Sequence, residues 1–72
     1  MYGLIDHELT IDELNVFGAS EQTVTWLTDN DMHVVVKKEY LEIWHDYKLQ
    51  GVIAKWSAEQ LNEFVFDKIS EV

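Results

Sequence analysis

Residues 10–30 read TIDELNVFGASEQTVTWLTDN, and their spacing sets out two short helices joined by a tight turn. Thr10 and Glu13 stand at capping-box spacing: the threonine oxygen takes a free N–H and Glu13 reaches back. Asp12 and Glu13 also suit the positive end of the helix dipole. Ile11, Leu14 and Phe17 recur every three residues and are expected to face the core together. Gly18 can end this helix in the left-handed conformation that other residues resist. Ser20 caps the next helix, with Glu21, Gln22 and Thr23 in its first turn and Val24, Leu27 and Thr28 pointing inward. Trp26 lies about 100° from Leu27 on an ideal helix, so it sits at the edge of the buried face or outside it. Asp29, Asn30 and Asp31 stop the helix, because short polar side chains compete for backbone bonds. The layout is that of a helix-turn-helix.

Working outward, residues 32–36 form a β-branched run that reads as extended, one side of a small wing. From Lys37 the period becomes helical. Tyr40, Ile43, Trp44 and Tyr47 share a face, with Lys38, Glu39, Glu42 and Asp46 outside it. Gly51 interrupts, and residues 52–54 fit helix or strand equally well. Ser57 and Gln60 repeat the capping pattern. They open a last helix with the stripe Ala58, Leu61, Val65, Ile69 and Val72, with Phe64 beside it and Phe66 off it. Trp56, just before the cap, is placed to staple onto Leu61. Tyr2, Leu4 and Ile5 suggest a short first helix or an arm. The predicted fold is therefore all-α: one compact domain over residues 1–72, with four or five helices, a helix-turn-helix at 10–30 and room for a short extended segment at 32–36.

Seventy-two residues bury only about 60–65% of the surface of the unfolded chain, so the core is small. Apolar content of 47% is too high for a disordered acidic tail. The absence of cysteine, of an apolar run long enough to span a bilayer, and of a basic, apolar leader in MYGLIDHE favours the cytoplasm. Net charge is −9, from 14 acids against five lysines and no arginine. Residues 1–36 hold seven of those acids and no base. A helix-turn-helix usually puts its second helix in the DNA major groove. Here the half that carries the motif lacks any cation to hold phosphate.

Gly18, Ala19, Ser20, Val24 and Leu27 resemble the turn and second helix of the phage repressor, Cro and excisionase families. Leu14 stands where those families carry an alanine, so either the first helix is one residue short or the two helices cross at a different distance. By position, the outward residues of the second helix are Ser20, Glu21, Gln22, Thr25 and Trp26. Gln22 has the chemistry to read adenine, but Glu21, Asp29 and Asp12 would meet phosphate with like charge. The size, acidity and motif together resemble the modulator-of-repression proteins of lactococcal temperate phages, which are antirepressors. That resemblance implies binding to the DNA-binding domain of a phage repressor, exclusion of operator DNA and promotion of lytic growth. The expected partner-binding residues are Ser20, Glu21, Gln22, Thr25, Trp26 and Asp29, set against a basic recognition surface. Two other readings stay open: a DNA-binding regulator that gains charge from a partner or from Lys37 and Lys38, and an acidic DNA mimic that inhibits a nucleic-acid enzyme.

Bland readings stand beside these. Asp12 and Glu13 serve capping first, while Glu21 and Asp29 are either a carboxylate face or simply solvated. Trp26 is either a partner contact or core-edge packing, whereas Trp44 reads as core. His7, His33 and His45 form no ligand pair at helical spacing, so no metal or other cofactor is expected. Ser20, Ser57 and Ser70 read as caps or terminal polar residues, and without cysteine no nucleophile is apparent. Carboxylate pairs such as Glu39/Glu42 and Glu59/Glu63 read as solvated helix faces. A domain of this size has little room for a ligand pocket. No enzyme, small-molecule substrate or membrane association is expected.

Overall fold

The computed structural model describes residues 7–71, which form β1 (His7–Glu8), α1 (Ile11–Phe17), α2 (Glu21–Asp29), β2 (His33–Val36), β3 (Leu41–His45), β4 (Lys48–Ile53) and α3 (Ala58–Ser70). The four strands make one antiparallel sheet in the order β1-β2-β3-β4. The domain is thus mixed α/β, which overturns the all-α expectation. Tyr2, Leu4 and Ile5, expected in a helix or arm, lie outside the described residues.

The correction falls on residues 40–53. Tyr40, Ile43, Trp44 and Tyr47 fit a helical period. Over the same few residues Leu41 and Ile43 alternate with Glu42 and Trp44, which fits a strand. The structure takes the second pattern: Leu41 and Ile43 are buried, and Glu42 and Trp44 stand on the opposite face. Two physical facts decide it. The β-branched run of β2 needs a hydrogen-bonding partner on either side, or its buried backbone goes unpaired. Residues 46 and 47 also close a two-residue hairpin. His45 pairs with Lys48, and Asp46 and Tyr47 have φ of 51° and 65°, the sign pattern of a type I′ turn. Trp44, read as a helix core residue, is therefore half-buried on the outer sheet face, where its indole donates to Glu42 at 3.0 Å. Residues 52 and 53 belong to β4.

The first two helices follow from local chemistry. Thr10 Oγ1 accepts from the Glu13 N–H at 3.2 Å, and Glu13 Oε1 accepts from the Thr10 N–H at 2.9 Å. Gly18 closes α1 at φ 114°, and the Ala19 N–H returns to the Leu14 carbonyl at 3.0 Å. Asp31, at φ 55°, lets the Met32 N–H return to the Leu27 carbonyl at 2.8 Å and turns the chain into β2. Of the stripe expected on α1, Leu14 is buried and Phe17 half-buried, while Ile11 is exposed. On α2, Thr23 takes the buried place expected for Thr28.

The helices lie against one face of the sheet. Leu14, Ala19, Leu27, Val34, Val36, Leu41, Ile43, Ile53, Leu61 and Val65 make one continuous core, with Trp26, Phe64 and Ile69 packed on its edge. Gly51 fits this layering closely: a Cβ there would stand 2.7 Å from the Phe64 ring, which would have to shift. Trp56 is pinned by its indole N–H to the Lys37 carbonyl at 2.8 Å and remains partly exposed, while Leu61 is fully buried. Among the described residues no helix is long and apolar enough to cross a membrane.

Candidate functional site

The N-terminal end of α2 meets α3 across a polar cluster. Ser20 Oγ accepts from the Thr23 N–H at 3.1 Å and donates to Thr23 Oγ1 at 2.9 Å. Asn62 Oδ1 accepts both the Ser20 N–H at 2.9 Å and the Thr23 hydroxyl at 2.7 Å. The other Asn62 amide atom donates to the Gly18 carbonyl at 3.4 Å. One α3 side chain thus fixes the turn and the first turn of α2, and Thr23 is buried because its hydroxyl is satisfied there.

Outside this cluster runs an open groove of about 680 Å³, lined by Gly18, Ser20, Gln22, Glu59, Asn62, Glu63, Phe66 and Asp67. Its chemistry is uneven in one direction. Glu59, Glu63 and Asp67 succeed one another at four-residue intervals along α3, so their carboxylates share one face. Phe66 lies on that face with 58% of its surface exposed. Among the described residues no lysine or histidine lines the groove. The one lysine of α3, Lys68, places its ammonium 5.4 Å from the centre of the Phe64 ring, and Phe64 packs on the core edge.

The six residues predicted from sequence do not fall together. Ser20 and Gln22 line the groove. Glu21, Thr25 and Asp29 are exposed along α2 but contribute nothing to the groove lining, and Trp26 is half-buried against the core. The second wall, Glu59, Glu63, Asp67 and Phe66, was missed as a site. Its signal was present as a polar strip with one aromatic, opposite the Leu61 and Val65 stripe. What could not be read was that this strip borders the start of α2.

Lys37, read as a source of positive charge beside the motif, lies 3.8 Å from Glu42. The histidines are engaged locally. His7 Nε2 sits 2.8 Å from Glu13 Oε1, His33 Nδ1 sits 2.6 Å from Glu8 Oε2, and His45 Nδ1 sits 3.2 Å from the Asp31 carbonyl. Among the described residues no group of three or more histidines and acids is arranged to hold a metal ion. The Glu13 carboxyl is held below the usual carboxylate range, first by the Thr10 backbone N–H and then by the His7 ring.

Fold and groove together define a class: a small α/β domain whose helix-turn-helix borders an acidic, aromatic-tipped face. Compared with protein-family models, curated proteins and solved structures, the chain matches none.

Proposed function

We propose that this chain is an antirepressor: it binds the basic DNA-binding surface of a phage repressor and excludes operator DNA. The observation that carries the reading is the groove itself, where an exposed Phe66 lies among Glu59, Glu63 and Asp67 with no cation among the described lining residues. A surface built to hold phosphate presents Lys and Arg, and those side chains find carboxylates here at helix-strip spacing. Phe66 supplies an apolar anchor, worth about 1–2 kcal/mol if its exposed part is buried. Ser20 and Gln22 add polar contacts from α2, and Glu21 and Asp29 extend the negative field along that helix. The antirepressor binds the repressor and not its operator, so occupancy of the two is mutually exclusive.

A gel shift with a candidate repressor and its operator tests this. Added chain should release the DNA, and the double variant Glu59→Lys/Glu63→Lys should need at least about ten-fold more protein to do so. Retardation of operator by the purified chain alone would sink the reading in favour of a DNA-binding regulator. Binding to a nuclease or glycosylase, with none to repressors, would favour the DNA mimic.

A further inference from the structure

We infer that two copies of this chain pair through β4, edge to edge and antiparallel, about a two-fold axis between Gln50 and Gly51. Among the described residues β4 ends the sheet, and one side of its backbone has no strand beside it. Such an edge is a template for another strand unless something blunts it. On the outer sheet face β4 carries Leu49, 47% exposed, and Val52, 51% exposed, set opposite Trp44 and Glu42 of β3. Tyr47, 97% exposed, flanks them.

Charge selects the occupant. Residues 47–58 form the longest stretch of the chain without an acid and hold two lysines, whereas the rest holds all 14 acids and three lysines. Two molecules of net charge −9 repel wherever their acidic faces approach. Along β4 itself no carboxylate of one copy faces a carboxylate of the other, and the strand offers a basic partner no acid. The sequence of β4 is also self-complementary about the proposed axis. Leu49 of one copy then faces Val52 of the other, and Lys48 faces Ile53. Gln50 is left over in the register shift between β3 and β4. A bulge twists the edge and confines pairing to the few residues on either side of it, which limits the pair to a short, weak contact.

The area is small, so the dimer is weak and reversible. Sedimentation equilibrium on the full chain, from about 10 µM to about 1 mM, should show the mass rise from 8.5 kDa towards twice that value. The dimer fraction should grow with added salt, because salt screens the repulsion between acidic faces. Leu49→Lys and Val52→Lys should each weaken dimerisation at least ten-fold, while Val16→Ser, at an exposed position on α1, leaves it unchanged. In the unaltered protein, amide exchange across Lys48–Ile53 should slow as concentration rises. A mass fixed at 8.5 kDa throughout overturns the inference. So does a dimer that survives both lysine variants, or β4 exchange indifferent to concentration.

Discussion

The Thr23 hydroxyl on α2 donates to Asn62 Oδ1 on α3 at 2.7 Å, and Thr23 is only 2% exposed. Thirty-nine residues separate them in sequence, yet this bond and its neighbours set how the helix-turn-helix sits on the last helix. The groove exists because of that arrangement: one wall starts at Ser20 and the other is the outer strip of α3.

Replacing Asn62 by alanine leaves the buried Thr23 hydroxyl and the Ser20 N–H without their shared acceptor. A loss of about 1–3 kcal/mol is expected, or about 4–8 °C in melting temperature for each kcal/mol in a domain of this size. Thr23→Val should cost less, because half-buried Asn62 keeps the Ser20 N–H and can turn to water. Thermal unfolding of both variants and of the double variant checks this. Strict additivity in the double variant would mean that the cluster does not act as a unit.

Gly18 and Gly51 should fail for different reasons. Gly18 sits at φ 114°, and a Cβ there would also stand 3.0 Å from the Ala58 Cβ. Gly18→Ala should cost about 1–2 kcal/mol through the backbone, and Ala58→Gly should not rescue it. At Gly51 the obstacle is the Phe64 ring at 2.7 Å. Gly51→Ala should cost about 1–3 kcal/mol by overpacking, and part should return when Phe64→Leu is added. Denaturant melts of the four variants separate strain from crowding.

Local chemistry was legible in the sequence where one or two residues suffice to fix it. Thr10, Glu13, Gly18 and Ser20 specify caps and a turn without help from the rest of the chain. Residues 40–47 were not legible, because eight residues cannot separate a 3.6 period from a 2.0 period when aromatics occupy both. The deciding information was the demand of β2 for a partner strand and the positive φ of a non-glycine pair, Asp46 and Tyr47. The site divided in the same way. Ser20 and Gln22 were readable as outward residues of α2. Glu59, Glu63 and Asp67 were readable as a solvated strip, but their adjacency to α2 arises through Asn62, a tertiary contact that no spacing reveals.

Tyr47 occupies a left-handed position at φ 65° with 97% of its surface exposed. The fold gains no packing from the ring and bears the backbone strain, about 1–2 kcal/mol for an L-residue relative to glycine. Tyr47→Gly should therefore raise stability by about 0.5–1 kcal/mol, the remainder offset by the greater freedom of the unfolded glycine chain. Tyr47→Asn should give a smaller rise. Melts at low protein concentration, where the chain is monomeric, provide the test; a loss of stability in both variants would show that the ring makes a contact in solution.

Glu13 sets an acid limb to stability. Its carboxylate accepts from the Thr10 N–H and meets the His7 ring, and its pKa is lowered. A carboxyl with a depressed folded pKa stabilises the fold above its unfolded value, and that contribution fades as pH falls through the folded value. Glu13→Gln keeps an acceptor at the cap but removes the charge. It should melt below the parent at neutral pH and converge with it below the usual carboxylate range. Parallel curves down to the lowest pH would show that the charge contributes nothing.

Glu63 sets stability against binding most directly. It stands four residues after Glu59 and four before Asp67, so three like charges follow one another on an exposed face of α3. Each such pair destabilises a helix by about 0.2–0.5 kcal/mol. Glu63→Lys turns both repulsions into attractions, with Glu59 on the favourable N-terminal side. The free chain should then gain about 0.5–1.5 kcal/mol while the groove loses a carboxylate and acquires a cation. If the groove meets a basic repressor surface, the more stable variant should bind it at least about ten-fold more weakly, and the deficit should shrink as salt rises. Calorimetric melting and titration against the repressor domain measure the two effects on the same protein. A variant that is more stable and binds as before would remove the groove from the interface.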